Sequence, residues 1–228
     1  MEPTQIGNWV LYKNNQLIAF NKPATLPVQH QGEQKSLLAL AEIYTKHKLH
    51  LIHRLDQPAS GVILLAKNAK ALAALNEQFK TRKVEKVYLV AVRNRPPQES
   101  DTLTHYLKKM HKTNKSIAFS EPSAGTKKAI LKYTYLGATD HYHCLQIKLI
   151  TGRHHQIRAQ LAAIGCPVKG DVKYGFRRSN PDRSIHLHAW KIRFQHPVSG
   201  QTETITAPLP EDPVWDNFKD IIEHGYHT

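Results

Sequence analysis

Short apolar runs broken by turn-forming residues dominate the first part of the chain. Residues 9–12 and 17–20 flank the polar turn Lys13-Asn14-Asn15-Gln16, a pattern that predicts an opening β-hairpin. Residues 22–32 contain Pro23, Pro27 and Gly32 and predict a loop. Ser36 then offers an N-cap for a helix that carries Leu37, Leu40, Ala41 and Tyr44 and ends near Lys48. After a loop over 54–60, residues 61–67 form an apolar run bounded by breakers, which predicts a buried strand. Leu72, Leu75 and Phe79 follow at helical spacing. Residues 85–92 are rich in Val, Tyr and Leu and predict a strand, with Lys86, Tyr88 and Val90 on one face and Val87, Leu89 and Ala91 on the other.

Further along, residues 129–136 and 143–150 alternate in the manner of strands, and antiparallel pairing is the economical arrangement. The basic, polar interval 108–128 is the least core-like part and predicts a mobile loop or a hairpin. Ile157, Leu161 and Ile164 recur at i, i+4 and i+7, with Gly165 placed for a left-handed C′ position. Residues 154–164 are therefore expected to form a short amphipathic helix. Strands are expected at 188–194 and 202–206 around the turn 197–200, and a last helix at about 212–223. Strands outnumber helices without alternating strictly with them, which argues for an α+β fold: a mixed, largely antiparallel β-sheet with flanking helices and loops, in one domain spanning 1–228.

The chain has 228 residues, enough to bury roughly 70% of its unfolded surface around its own core. Its uninterrupted apolar stretches, such as 62–66 behind Gly61, are far too short to span a bilayer. The opening MEPTQIGNWVLYKNNQ lacks the apolar segment of a secretory signal, so a cytoplasmic location is expected. Cys144 and Cys166 have no CxxC spacing and are too few for a disulfide framework, which suits a reducing compartment. Net charge changes the picture more. Lys and Arg number 32 against 18 Asp and Glu, a balance of +14 that attracts polyanions and makes association salt-dependent. Nucleic acid is the leading partner class. A membrane surface is weaker because no basic amphipathic helix with bulky anchors appears, and a generically basic, inert surface is the third reading.

Fifteen histidines, including His47, His50 and His53, the pair His141 and His143, and the pair His154 and His155, invite a metal reading. None matches HExxH or a deaminase-type HxE with a following PCxxC, so no metal is expected. P-loop, GxGxxG and GxSxG patterns are absent, which removes the usual phosphate cradles and hydrolase elbow. The more informative segment is His53-Arg54-Leu55-Asp56-Gln57-Pro58-Ala59-Ser60-Gly61, a loop that ends where a buried strand begins. Read residue by residue, Asp56 either pairs with Arg54 or caps a turn, or it serves as a nucleophile or base kept ionised by an arginine.

Taken together, these segments resemble the RluA-type pseudouridine synthase family over nearly the whole chain. Asn21-Lys22-Pro23 with Val28 resembles NKPxGLxV; HRLDQPASG resembles HRLDxxTSG; Lys86-Val87-Tyr88 with Ala91-Val92 resembles KxYxAxV. Thr151-Gly152-Arg153-His154-His155-Gln156-Ile157-Arg158, with Leu161, Pro167, Gly170-Asp171 and Tyr174-Gly175, is similar to TGRxHQIRxHLxxxGxPxxGDxxYG, and Leu187-His188-Ala189 and His196-Pro197 complete the order. Ala59 stands in place of the usual Thr, Thr25 in place of Gly, and Ala159 and Gln160 differ after HQIR. The resemblance implies isomerisation of uridine in rRNA or tRNA without a cofactor. It implies Asp56 as the essential carboxylate, Tyr88 stacking on uracil, and Arg158 reaching inward to hold Asp56 ionised. Arg153 is expected at phosphate and Arg54 in the stack vacated by the target base, with His53, Gln156 and Leu187 also lining the substrate site. The accessory RNA-binding module found ahead of the catalytic domain in many relatives is expected to be missing. A monomer acting on RNA, with no DNA or membrane partner, is the expectation; a non-catalytic basic RNA-binding protein is the alternative.

Overall fold

In the computed structural model, which describes residues 3–30 and 35–224, a 3-10 turn leads into β1 (Val10–Lys13) and β2 (Leu17–Lys22). The Asn14 carboxamide oxygen accepts from the Gln16 and Leu17 amides, both at 2.8 Å, so the predicted turn is closed by an Asx-type bond. Gly32, placed in the following loop by the sequence, lies outside the described residues. Helix α1 (Leu37–Thr45) starts where expected, with Ser36 Oγ accepting from the Ala39 amide at 3.2 Å. It stops short of Lys48 because Lys46 turns left-handed at φ 56°. Next come β3 (His50–Leu51), β4 (Ser60–Ala66), α2 (Ala69–Lys80) capped by Asn68, and β5 (Glu85–Val92). They are followed by β6 (Ser100–Met110), β7 (Lys115–Phe119), β8 (Lys127–Ala138), β9 (His143–Leu149) and α3 (Gln156–Ala163). The chain closes with β10 (Leu187–Gln195), β11 (Thr202–Thr206), α4 (Pro213–Asp216) and α5 (Lys219–His224).

Two compact units form. The first comprises the chain up to Lys86 together with Ala189–Leu209. Here β2 pairs antiparallel with β1 on one side and with β4 on the other, from Leu17↔Ala66 to Lys22↔Gly61. β11 pairs with β10. Alternate residues of β2 and β4 serve opposite faces: Leu17, Ala19, Val62 and Leu64 pack with Ala71 and Leu75 of α2, while Ile18, Phe20, Ile63 and Leu65 pack with Leu37, Leu40 and Ala41 of α1. Burial on both faces is why residues 62–66 are apolar without a polar alternate.

The second unit comprises Val87–His188 and the chain from Pro210. Its strands run in the order β5-β9-β8-β6-β7, with each neighbouring pair antiparallel. β6 is an 11-residue strand that the sequence pattern did not reveal, because only Leu103 and Leu107 of Ser100–Met110 are buried. The basic interval takes the hairpin option: β6 and β7 pair from Tyr106↔Phe119 to Met110↔Lys115. Helix α3 is not amphipathic as expected. Gln156 through Leu161 are all buried, polar side chains included, and Gln160 Nε2 donates to the Leu103 carbonyl at 3.1 Å. Its end agrees with the sequence: Gly165 has φ 76°, its amide bonds to Ala162 O, and the Cys166 amide bonds to Leu161 O. The single last helix is instead two, broken around Asn217 and Phe218, with Phe218 fully buried between them. No helix among the described residues is long and apolar enough to cross a membrane.

Candidate active site

The signature loop belongs to the first unit. It leaves β3, passes through His53, Arg54, Leu55, Asp56 and Gln57, and turns back into β4. The Ala59 amide donates to the Asp56 carbonyl at 3.1 Å, which tightens the chain just after the carboxylate. Gly61 then enters β4 at φ 113°, and a Cβ there would lie 2.3 Å from the Ala189 carbonyl oxygen, so only glycine fits this close approach. Arg54 is exposed, while Asp56 is half-buried.

Beneath the loop lies Lys22, with 0% exposure. Its ammonium donates to the carbonyls of Pro23 at 2.9 Å, Leu26 at 2.9 Å and Gln57 at 3.1 Å, and Gln57 Nε2 returns a bond to Thr25 O at 3.0 Å. Burial pushes the Lys22 ammonium down to about 7, with the Asp56 carboxylate pulling it back up. His53 stacks on Phe79 at 5.4 Å, and its Nε2 accepts from the Leu64 amide at 3.0 Å. Burial, then the charge of Lys86, drive His53 down to about 3 and keep the ring neutral. Lys86 itself is pushed down to about 8 by burial and lies over the Phe79 ring at 5.6 Å.

The other expected residues belong to the second unit. Tyr88 is on β5 and Leu187 opens β10, both buried. Arg158 is buried in α3 and grips Asp171 with two nitrogens, Nε to Oδ2 at 2.6 Å and Nη2 to Oδ1 at 2.8 Å, with the Tyr174 ring 4.9 Å from its guanidinium carbon. Removing one partner of such a pair would strand a buried charge at a cost of about 3–5 kcal/mol. The Tyr174 hydroxyl accepts from the Ser116 amide at 2.7 Å and is hydrogen-bonded to His155 Nδ1 at 3.0 Å. His155 is neutral, pushed down by burial and then by Arg158.

Gln156, expected at the substrate, has three of its four hydrogen-bonding positions occupied inside the unit. Its Oε1 accepts from Thr151 Oγ1 at 2.7 Å and the Arg153 amide at 3.0 Å, while Nε2 donates to Ile130 O at 3.0 Å. The result is a rigid turn from which Arg153 emerges exposed, its Nε on the Lys128 carbonyl at 3.0 Å. Sequence reasoning gave no role to Lys22 in the first unit or to Asp171 and Tyr174 in the second. Each stood inside a quoted motif, but nothing in residue type alone marks Asp171 as the arginine's partner.

The family model for RNA pseudouridylate synthase matches residues 16–163, a span that holds Asp56, Tyr88 and Arg158. A protein of Chlorobaculum parvum called an uncharacterized RNA pseudouridine synthase is 33% identical over 93% of this chain and 74% of its own length. The tRNA pseudouridine synthase C of Haemophilus ducreyi is 33% identical over 96% of each chain. The ribosomal large subunit pseudouridine synthase C of Rickettsia prowazekii is 31% identical over 90% of this chain and 68% of its own. Among solved structures, human RNA pseudouridylate synthase domain containing 1 superposes with a TM-score of 0.76 at 26% identity, covering 95% of this chain and 90% of that one. The chain belongs to the RNA pseudouridylate synthase family, in its RluA-type branch. It is an isomerase that acts on uridine in RNA.

Proposed function

We propose that the substrate is ribosomal or transfer RNA and that Asp56 is the carboxylate on which turnover depends. The observation that carries this reading is the construction of the Asp56 loop: a half-buried carboxylate on a tightened turn, its neighbour Gln57 pinned by a buried ammonium, and an exposed arginine two residues before it. In the reaction the N1–C1′ bond breaks, the uracil turns, and C5 bonds to C1′. The proton leaving C5 is balanced by one gained at N1, so no redox partner or group donor enters. Tyr88 is assigned to stack on the base, Leu187 to wall the pocket, and Arg158 to supply a fixed positive charge. Arg54 and Arg153 engage the RNA from exposed positions. His53 and Gln156 contribute by holding their loops rigid. The Haemophilus and Rickettsia relatives, named for tRNA and for large-subunit rRNA, support both substrate classes.

The test is Asp56→Asn in a tritium-release or sequencing assay for pseudouridine, run on tRNA and on rRNA fragments. Turnover is expected to vanish while melting temperature and RNA affinity stay near wild type. Near-normal turnover by the variant would remove Asp56 from the chemistry, and wild-type activity on neither RNA class would remove the substrate assignment.

A further inference from the structure

We propose that the loop over residues 175–184 holds the RNA backbone through Arg177, Arg178 and Arg183, with the buried Asn180 as the residue that sets its shape. The inference rests on the roles given above to Arg158 and Leu187, which put the loop next to the bound RNA. The loop lies wholly in the second unit and contains no helix or strand, yet both its ends are tied at those residues. At its start the Asp171 carbonyl accepts from the amides of Tyr174 at 3.0 Å and Phe176 at 3.1 Å, while the Asp171 carboxylate grips Arg158. At its end the His186 amide donates to the Lys169 carbonyl at 3.0 Å, one residue before Leu187.

Between those ends the loop is organised around one side chain. Asn180 Nδ2 donates to Ser184 O at 3.0 Å and Ser184 Oγ at 3.1 Å and lies 3.1 Å from His186 Nδ1, and Oδ1 accepts from Lys169 Nζ at 2.7 Å. The Asn180 carbonyl closes a four-residue turn by accepting from the Arg183 amide at 3.0 Å, with Pro181 at the position its fixed φ favours. The packing is close: a Cβ on Gly170 would lie 2.8 Å from Asn180 Cγ. Asp182, the loop's own carboxylate, is turned onto Ser184, accepting from its amide at 3.0 Å and its Oγ at 2.7 Å. The three arginines are left exposed and, among the described residues, paired with no carboxylate. A loop fixed inside and cationic outside loses little freedom on binding, and a guanidinium fork matches two phosphate oxygens.

The experiment is filter binding of unfractionated transfer RNA at several salt concentrations, with folding checked by circular dichroism. The loop variant combines Arg177→Gln, Arg178→Gln and Arg183→Asn, asparagine being chosen because Arg183 has φ 62°. A control combines Lys70→Gln, Arg82→Asn and Lys83→Gln, which removes the same charge from exposed positions of the first unit, Arg82 also having a positive φ, 59°. The loop variant is expected to flatten the plot of log affinity against log salt by about 2, at 0.7 to 0.9 for each lost phosphate, and the control by far less. A difference between the two smaller than one phosphate, about 0.7, overturns the proposal. Should the loop variant fail to fold, Arg177→Gln with Arg178→Gln, which leaves the turn at Arg183 intact, is judged by the same threshold. Asn180→Ala is expected to bind about tenfold more weakly in the wild-type background and to cause no further loss in the loop variant. A merely structural asparagine would weaken both alike, so equal losses, or a loss below about twofold in the wild-type background, overturn its role. Asn180→Asp, which keeps the acceptor for Lys169 and loses the Nδ2 donors, replaces the alanine variant if that one fails to fold. Because binding is read without turnover, a failed loop variant leaves Asp56, Arg158 and Leu187 in their assigned roles, and an active Asp56→Asn leaves the loop in its own.

Discussion

Arg54 and Asp56 stand two residues apart yet differ in surroundings, the arginine exposed and the aspartate half-buried. That difference suits a division of labour in which Arg54 meets RNA and Asp56 meets the target nucleotide. A uridine stacked in a folded RNA must lose stacking and pairing worth a few kcal/mol before it can react, and a planar guanidinium entering the vacated space recovers part of that cost. Arg54→Ala is therefore expected to depress single-turnover rate strongly on a folded RNA and much less on a short unstructured oligonucleotide with the same uridine. Equal losses on the two substrates would show that the arginine acts as a local charge partner. Arg158 illustrates the opposite situation, a charge held in the interior with Asp171 and the Tyr174 ring among its partners.

At the scale of elements, the site depends on where strands begin and how closely they approach. Gly61, the second residue of β4, has a left-handed conformation, with the backbone of Ala189 in the space a side chain would fill. Gly61→Ala combines an unfavourable φ with a backbone clash, and a destabilisation of about 3 kcal/mol or more is expected, read as a lower urea midpoint with an unchanged m-value. A loss below about 0.5 kcal/mol would mean that β4 and β10 can move apart at no cost. Helix α3 shows a related constraint. Its hydrophobic spacing was legible, but Gln156, Arg158 and Gln160 are buried as well, because each has polar partners on neighbouring segments.

For the molecule as a whole, the charge of +14 is distributed unevenly in availability. Lys115 lies over the Tyr174 ring, Lys169 donates to Asn180 Oδ1 at 2.7 Å, and both are partly occupied by the fold. Lys108, Lys109, Lys127 and Lys128, on β6 and β8, are exposed and remain available to phosphates. Reversing Lys108, Lys109 and Lys128 to Glu is expected to weaken RNA binding and to flatten the plot of log affinity against log salt by about 0.7 to 0.9 for each phosphate that is no longer neutralised. Filter-binding titrations at several salt concentrations measure this. An unaltered slope would place the path of the RNA elsewhere on the molecule.

The sequence by itself determined the features governed by near neighbours. Asn14 closes the hairpin turn, Ser36 caps α1, Gly165 ends α3, and the two-sided apolar run of β4 announces a buried strand. The motif order also located the Asp56 loop and the strand of Tyr88. Tertiary structure decided the rest, because the deciding contacts join residues distant along the chain. β6 exists because β7 and β8 pair with its two edges, although its own pattern is mostly polar. The last helix breaks where Phe218 is drawn into the interior. Gln160 becomes a core residue through a carbonyl 57 positions away, Arg158 finds Asp171 13 positions on, and Lys22 reaches Gln57 across 35. A polar side chain tolerates burial only when its partners arrive from elsewhere in the fold, and no local period in the sequence records that arrival.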